Sequence, residues 1–170
     1  MAIARVYIEK IQDSGDFVHY ETSEVVRDFE IYCKSIPFKI YGEVKEPYSN
    51  DWLDEDGVEE YYPEKGFRMK PYELEVEWAY KGAINSANTK IKNFLDFLSG
   101  RSDSTPEMNI YCTWTGIGRK NVRLVKVSDK ATIVRDEDNG DIVIFSTTLK
   151  VCDPVTDFKP KMIEQEVGQV

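Results

Sequence analysis

The sequence predicts a mainly β fold, either two packed antiparallel sheets or a half-open barrel, flanked by one α-helix. Three observations lead there. Residues Tyr72 to Tyr80 alternate apolar and polar side chains at every second position, the pattern of a strand with one buried face. Asn139-Gly140 stands between the β-branched runs 131–134 and 142–145, and both turn residues tolerate the positive φ of a tight hairpin. A helical period is sustained in a single segment, at about residues 85–99.

Taken in chain order, Ala4, Val6 and Ile8 share one face of a first strand, and Phe29, Ile31 and Cys33 share one face of a second. In the clearest strand, Tyr72, Leu74, Val76, Trp78 and Tyr80 point one way and Glu73, Glu75 and Glu77 the other. The helix carries Ile84, Ala87, Ile91, Phe94, Leu95 and Leu98 at three- and four-residue spacing, with Asn85 or Ser86 as the N-cap and Gly100 as the stop. Its apolar face is expected to bury Ile84, Ile91, Phe94, Leu95 and Leu98 against Leu74, Val76 and Trp78. Residues Met108 to Trp114 and Ile142 to Val151 are apolar on parts of both faces, as central strands are. Between them, Val122 and Leu124 are in one phase and Val125 and Val127 in the other, which predicts a bulge.

The chain has 170 residues, a length that fits one domain, here residues 1–158, followed by a polar C-terminal arm at 159–170. A composition of 41% hydrophobic and 31% charged residues is that of a folded chain. Apolar runs are far shorter than the roughly 20 residues a membrane helix needs, and no signal-peptide core follows Met1, so neither a membrane nor export is expected. Cys33, Cys112 and Cys152 lie too far apart for a paired zinc grip and read as buried free thiols.

Charge is distributed unevenly. The net charge of −9 opposes direct binding to nucleic acid, and Arg119, Lys120, Arg123 and Lys126 make the one basic cluster. Residues 42–66 hold nine acids against Lys45 and Lys65, a balance of −7, without any sustained period. Irregular connections of this length are uncommon unless they bind something or are disordered. Here Tyr48, Trp52, Leu53, Tyr61 and Tyr62 are set among the acids, and buried aromatics with a polar rim are the composition of a contact surface. These five residues are the candidate interface, with the loop folded either over its own domain or onto a neighbouring subunit.

Motifs of catalysis and ligand binding fail on spacing. His19 is the sole histidine and has no nucleophile signature beside it, so no catalytic residue is named. Taking Gly57 as the sixth position of an EF-hand loop puts Trp52 first and Pro63 twelfth, and taking Gly140 puts Arg135 first and Thr147 twelfth; neither set supplies the required oxygens. The clustered acids leave only a looser divalent-ion site open. Gly116-Ile117-Gly118-Arg119-Lys120 lacks both the third glycine of a dinucleotide fingerprint and the glycine before the lysine of a Walker loop, and reads as a turn between strands. No cofactor is expected.

Several segments together resemble proteins of tailed bacteriophages and prophages, in the tail-tube, distal-tail and baseplate group. They are Tyr72-Glu73-Leu74-Glu75-Val76-Glu77-Trp78, the helix ending Phe94-Leu95-Asp96-Phe97-Leu98, Met108-Asn109-Ile110-Tyr111, residues 118–124 and the closing residues 149–156. The resemblance covers the C-terminal two thirds and rests on the order of elements. It implies a tail-tube-like fold and self-assembly into rings, commonly hexameric, in contact with other tail proteins. It also implies a location in the virion tail after assembly in the bacterial cytoplasm, and an acidic channel wall. The large aromatic and acidic loop departs from that pattern. Beside a non-catalytic tail subunit stand two rival readings, a β-sandwich module that binds a small ligand or peptide, and, last, a carboxylate-based hydrolase.

Overall fold

The computed structural model describes residues 5–13, 18–138 and 140–161. The chain runs β1 (Val6–Asp13), β2 (Val18–Glu24), α1 (Val25–Phe29), β3 (Ile31–Ser35), β4 (Ser49–Asn50), β5 (Glu59–Glu60), β6 (Tyr72–Gly82), α2 (Ala87–Ser99), β7 (Glu107–Cys112), β8 (Ile117–Val127), β9 (Thr132–Asp136) and β10 (Gly140–Asp157). Eight strands form one antiparallel sheet in the order β2-β1-β7-β8-β10-β6-β3, with β9 beside the first part of β10. The sheet curls into a half-barrel, so the half-open barrel is the architecture adopted. Strands β4 and β5 make a separate two-stranded ribbon.

Alternation explains the centre of the sheet. Tyr72, Leu74, Val76, Trp78 and Tyr80 of β6 are all buried, while Glu73 and Glu75 are exposed. Next to β6, Val143, Phe145, Thr147, Leu149 and Val151 of β10 point into the same core, and the indole Nε1 of Trp78 donates to Thr147 Oγ1 at 2.8 Å. That bond satisfies the polar atom that burial of a tryptophan would otherwise strand. Helix α2 packs over β6, β8 and β10 with Phe94, Phe97 and Leu98 buried. Phe94 meets Trp78 edge-on at 5.0 Å between ring centroids and Phe29 at 5.4 Å. Gly100, at φ 77°, ends the helix with its N–H directed to the carbonyls of Asp96 and Phe97, the left-handed stop expected of glycine.

Four expectations are corrected. Ile84 precedes the helix and is exposed, because Asn85 at φ 66° turns the chain and α2 begins only at Ala87; Ile91 and Leu95 are half-buried. Phe29 closes the short helix α1 instead of lying on a strand, and packs under α2 through Phe97 at 4.8 Å. Trp114 lies beyond β7 in the turn to β8 and is exposed. The hairpin between β9 and β10 exists, but Gly140, at φ 85°, pairs with Asp136 and already belongs to β10 instead of to the turn. Ala4, Phe17, Asn139, residues 162–170 of the expected C-terminal arm and the His19 side chain lie outside what the structure describes.

The bulge is where the change of phase predicts it. Lys126 pairs with Thr148 and Leu124 with Leu149, leaving Val125 as the extra residue. The β9–β10 hairpin is fastened by Asp141, whose carboxylate accepts bonds from Arg135 at 2.7 and 3.0 Å and from the Asn85 N–H at 2.9 Å. The Arg135 hydrogen bonds, and then the Asn85 N–H, hold this carboxyl below its ordinary pKa. A depressed carboxylate contributes stability above its unfolded-state pKa of about 3.9 and loses it as pH falls through the folded value. Asp141→Asn should therefore lower the urea midpoint at pH 7 and narrow the gap between pH 7 and pH 3; an unchanged gap contradicts the assignment.

Candidate assembly surface

Between β3 and β6 the chain leaves the barrel and returns. Ile36 and Phe38 are buried at the start of this excursion and Tyr72 at its end, so both roots are held in the core. Outward from the roots the two limbs are joined by backbone bonds from Lys70 N to Glu43 O and from Lys45 N to Arg68 O, each 2.7 Å. A bridge pairs Val44 with Met69, Tyr61 N donates to Tyr48 O at 2.8 Å, and β4 pairs with β5. The turn at the far end includes Gly57 at φ 94°, a conformation that favours glycine. Residues 42–66, expected as an irregular loop, are thus an arm with a ribbon inside it. Two-residue strands carry no readable alternation, which is why the sequence hides them.

The arm presents what a folded chain ordinarily covers. Tyr48, Trp52, Leu53, Tyr61 and Tyr62, the five candidate interface residues, are all exposed, Leu53 fully and Trp52 by half. Val58 on the arm and Ile40, Tyr41 and Phe67 near its root join them. Over half of the exposed large apolar side chains among the described residues fall between Ile40 and Phe67. Contacts within the arm are few: Tyr62 meets Phe67 edge-on at 5.7 Å, and Trp52 Nε1 donates to Glu59 at 3.3 Å. Of the two fates expected for this segment, folding over its own domain is not the one seen. None of its nine acids forms an ion pair among the described residues.

A buried arginine fastens the root. Arg119 lies opposite core Ile110 and donates to the carbonyls of Gly118 at 2.9 Å and Lys39 at 3.1 Å, and to the Asp157 carboxylate at 2.6 Å. One guanidinium thereby ties the outgoing limb of the arm to β8 and to the end of β10. Its planar fork of donors suits this role, which a lysine's single ammonium does not fill. Arg119 is only 4% exposed, so the basic cluster read from the sequence is not one surface: Arg123 and Lys126 are exposed, Lys120 is half-buried and Arg119 faces inward. The partners of Arg119 are up to 80 residues away, and that separation hides the role from a linear reading.

The glutamates of β6 are interleaved with cations. Across the sheet the pairing runs Glu73, Lys150, Arg123, Glu107, and Lys34 bonds Glu77 at 3.0 Å. Such a face is the ordinary mixed surface of a strand. Gly116, at φ 67°, sits in the turn before β8, and a side chain at Gly118 would run into the Phe158 carbonyl, so these glycines serve a turn and a close approach of two backbones. No cluster of three His, Cys, Asp or Glu able to hold a metal ion occurs among the described residues. Cys33 and Cys112 are buried and Cys152 is exposed, which corrects the expectation for the third; burial pushes the Cys33 thiol up to about 12. No described helix is long and apolar enough to cross a membrane.

No family model matches the chain, and no curated protein matches it.

Proposed function

We propose that this protein is a non-catalytic structural subunit that assembles with copies of itself into rings, as a component of a phage or prophage tail. The observation that supports this best is the arm. A chain whose barrel core is covered by α2 nevertheless leaves many aromatic and aliphatic side chains of one segment in water, and exposed apolar surface concentrated in this way marks association surfaces. The acids around them suit a wet rim, because burying an unpaired carboxylate costs several kcal/mol. The order of elements behind the tail-protein resemblance, a curled sheet with one main helix across it, agrees with the same reading. Partners in this reading are other copies and further tail proteins, with no direct contact to DNA and no membrane, and the place of the protein is the virion tail.

A ligand-binding module draws less support, because Trp78, Phe94, Leu98 and Phe145 fill the space where a ligand would lie between sheet and helix. Sedimentation velocity over a range of concentrations, with negative-stain imaging of the heaviest species, tests the proposal. Rings or stacks of rings are the expected result; a monomer throughout, at concentrations up to about millimolar, overturns it.

A further inference from the structure

The arm needs a seat, and the far end of β8 offers one. We propose that the arm tip of one copy docks in the groove between α2 and β8 of the next copy, an inference that rests on the self-assembly reading above. The groove has a volume of about 450 Å³, within the range of clefts that take a ligand of drug size. Ile91 and Leu95 of α2 and Leu124 and Val127 of β8 line it, all part-exposed in the single chain. Pairing of β8 with β7 starts only at Arg123, so the strand edge from Leu124 onward is open on that side.

Charge selects the occupant. Lys92 and Arg101 stand at the groove and neither has an ion-pair partner among the described residues, while Asp96 is the one acid lining it. The arm tip brings the complement, fully exposed Leu53 and half-exposed Trp52 followed by Asp54, Glu55 and Asp56. In the single chain no arm residue lines the groove, so the contact proposed is between copies and directional. The arm root is tied to Arg119 near the start of β8, whereas the groove lies at Leu124 to Val127, so arm and groove occupy opposite ends of one strand. A patch that binds a different patch on the next copy is heterologous, and repeated heterologous contacts close into rings or extend as stacks.

Two full-length variants in a Cys152→Ser background, Asp54→Cys and Lys92→Cys, test the contact with a short bismaleimide linker. A mixture of the two should give a cross-linked dimer well above either variant alone and above a mixture of Asp54→Cys with Glu73→Cys, which lies on the other face of the sheet. Lys92→Glu with Arg101→Glu should weaken association about tenfold, from lost pairs and new like-charge contacts, and Asp54→Lys with Glu55→Lys on the partner copy should restore it. If wild type associates but neither cross-link enrichment nor charge-swap rescue appears, the groove is not the seat and the assembly reading stands. If wild type does not associate at all, both fall.

Discussion

Replacing Phe94 with alanine is expected to cost about 3 to 5 kcal/mol of unfolding free energy. Phe94 is fully buried and stands where α2, α1 and the sheet meet, touching Trp78 edge-on at 5.0 Å and Phe29 at 5.4 Å. Truncation removes the transfer free energy of a large side chain and leaves a cavity. Trp78 cannot collapse into that space without giving up its bond to Thr147. The same substitution at Ile84, which is exposed, should change stability by under about 0.5 kcal/mol. Urea melts of the two variants against wild type measure both. Equal losses would mean that the helix packs with a different face.

Asp103→Ala should be comparably damaging, by about 3 to 5 kcal/mol, for an electrostatic reason. Lys10 of β1 is fully buried, its ammonium bonded to the Phe97 carbonyl, 2.9 Å from one oxygen of Asp103 and 3.2 Å from the other, and 4.1 Å above the Phe97 ring. The Asp103 side chain is only 12% exposed, so little solvent screens the pair. Removing the carboxylate takes a close counter-charge from a buried ammonium, while its contacts to the Phe97 carbonyl and ring remain, and truncating one member of a buried pair is far worse than replacing both. Lys10→Met added to Asp103→Ala should therefore recover most of the loss. A double variant no more stable than Asp103→Ala alone would show that the ammonium is not what destabilises the single one.

These two sites mark how far the sequence could be read. Phe94 is legible because helical spacing announces it, and the β6 face is legible because alternation does. Period alone placed Ile84 on the helix, since a left-handed Asn85 leaves no trace in a hydrophobic pattern. Phe97, three residues after Phe94, fits the same spacing although the expected face leaves it out, and it is buried against Phe29 and Lys10. Lys10 and Arg119 look like ordinary strand cations, and only partners some 80 to 90 residues away turn them into a buried ion pair and an arm anchor. The aromatic and acidic composition of residues 42–66 pointed to a contact surface, but that the segment stands open to water follows from the fold alone.

If the arm is an assembly element, the barrel folds without it. Deleting residues 46–64 and joining the limbs through a short glycine-serine linker tests this directly, with sedimentation velocity for association and circular dichroism with a thermal melt for the fold. The prediction is a barrel that keeps its β-rich spectrum and melting temperature and no longer forms the oligomers of the wild type. An unfolded deletion variant would place the arm in the protein's own core, and a folded one that assembles as before would remove the arm from the interface.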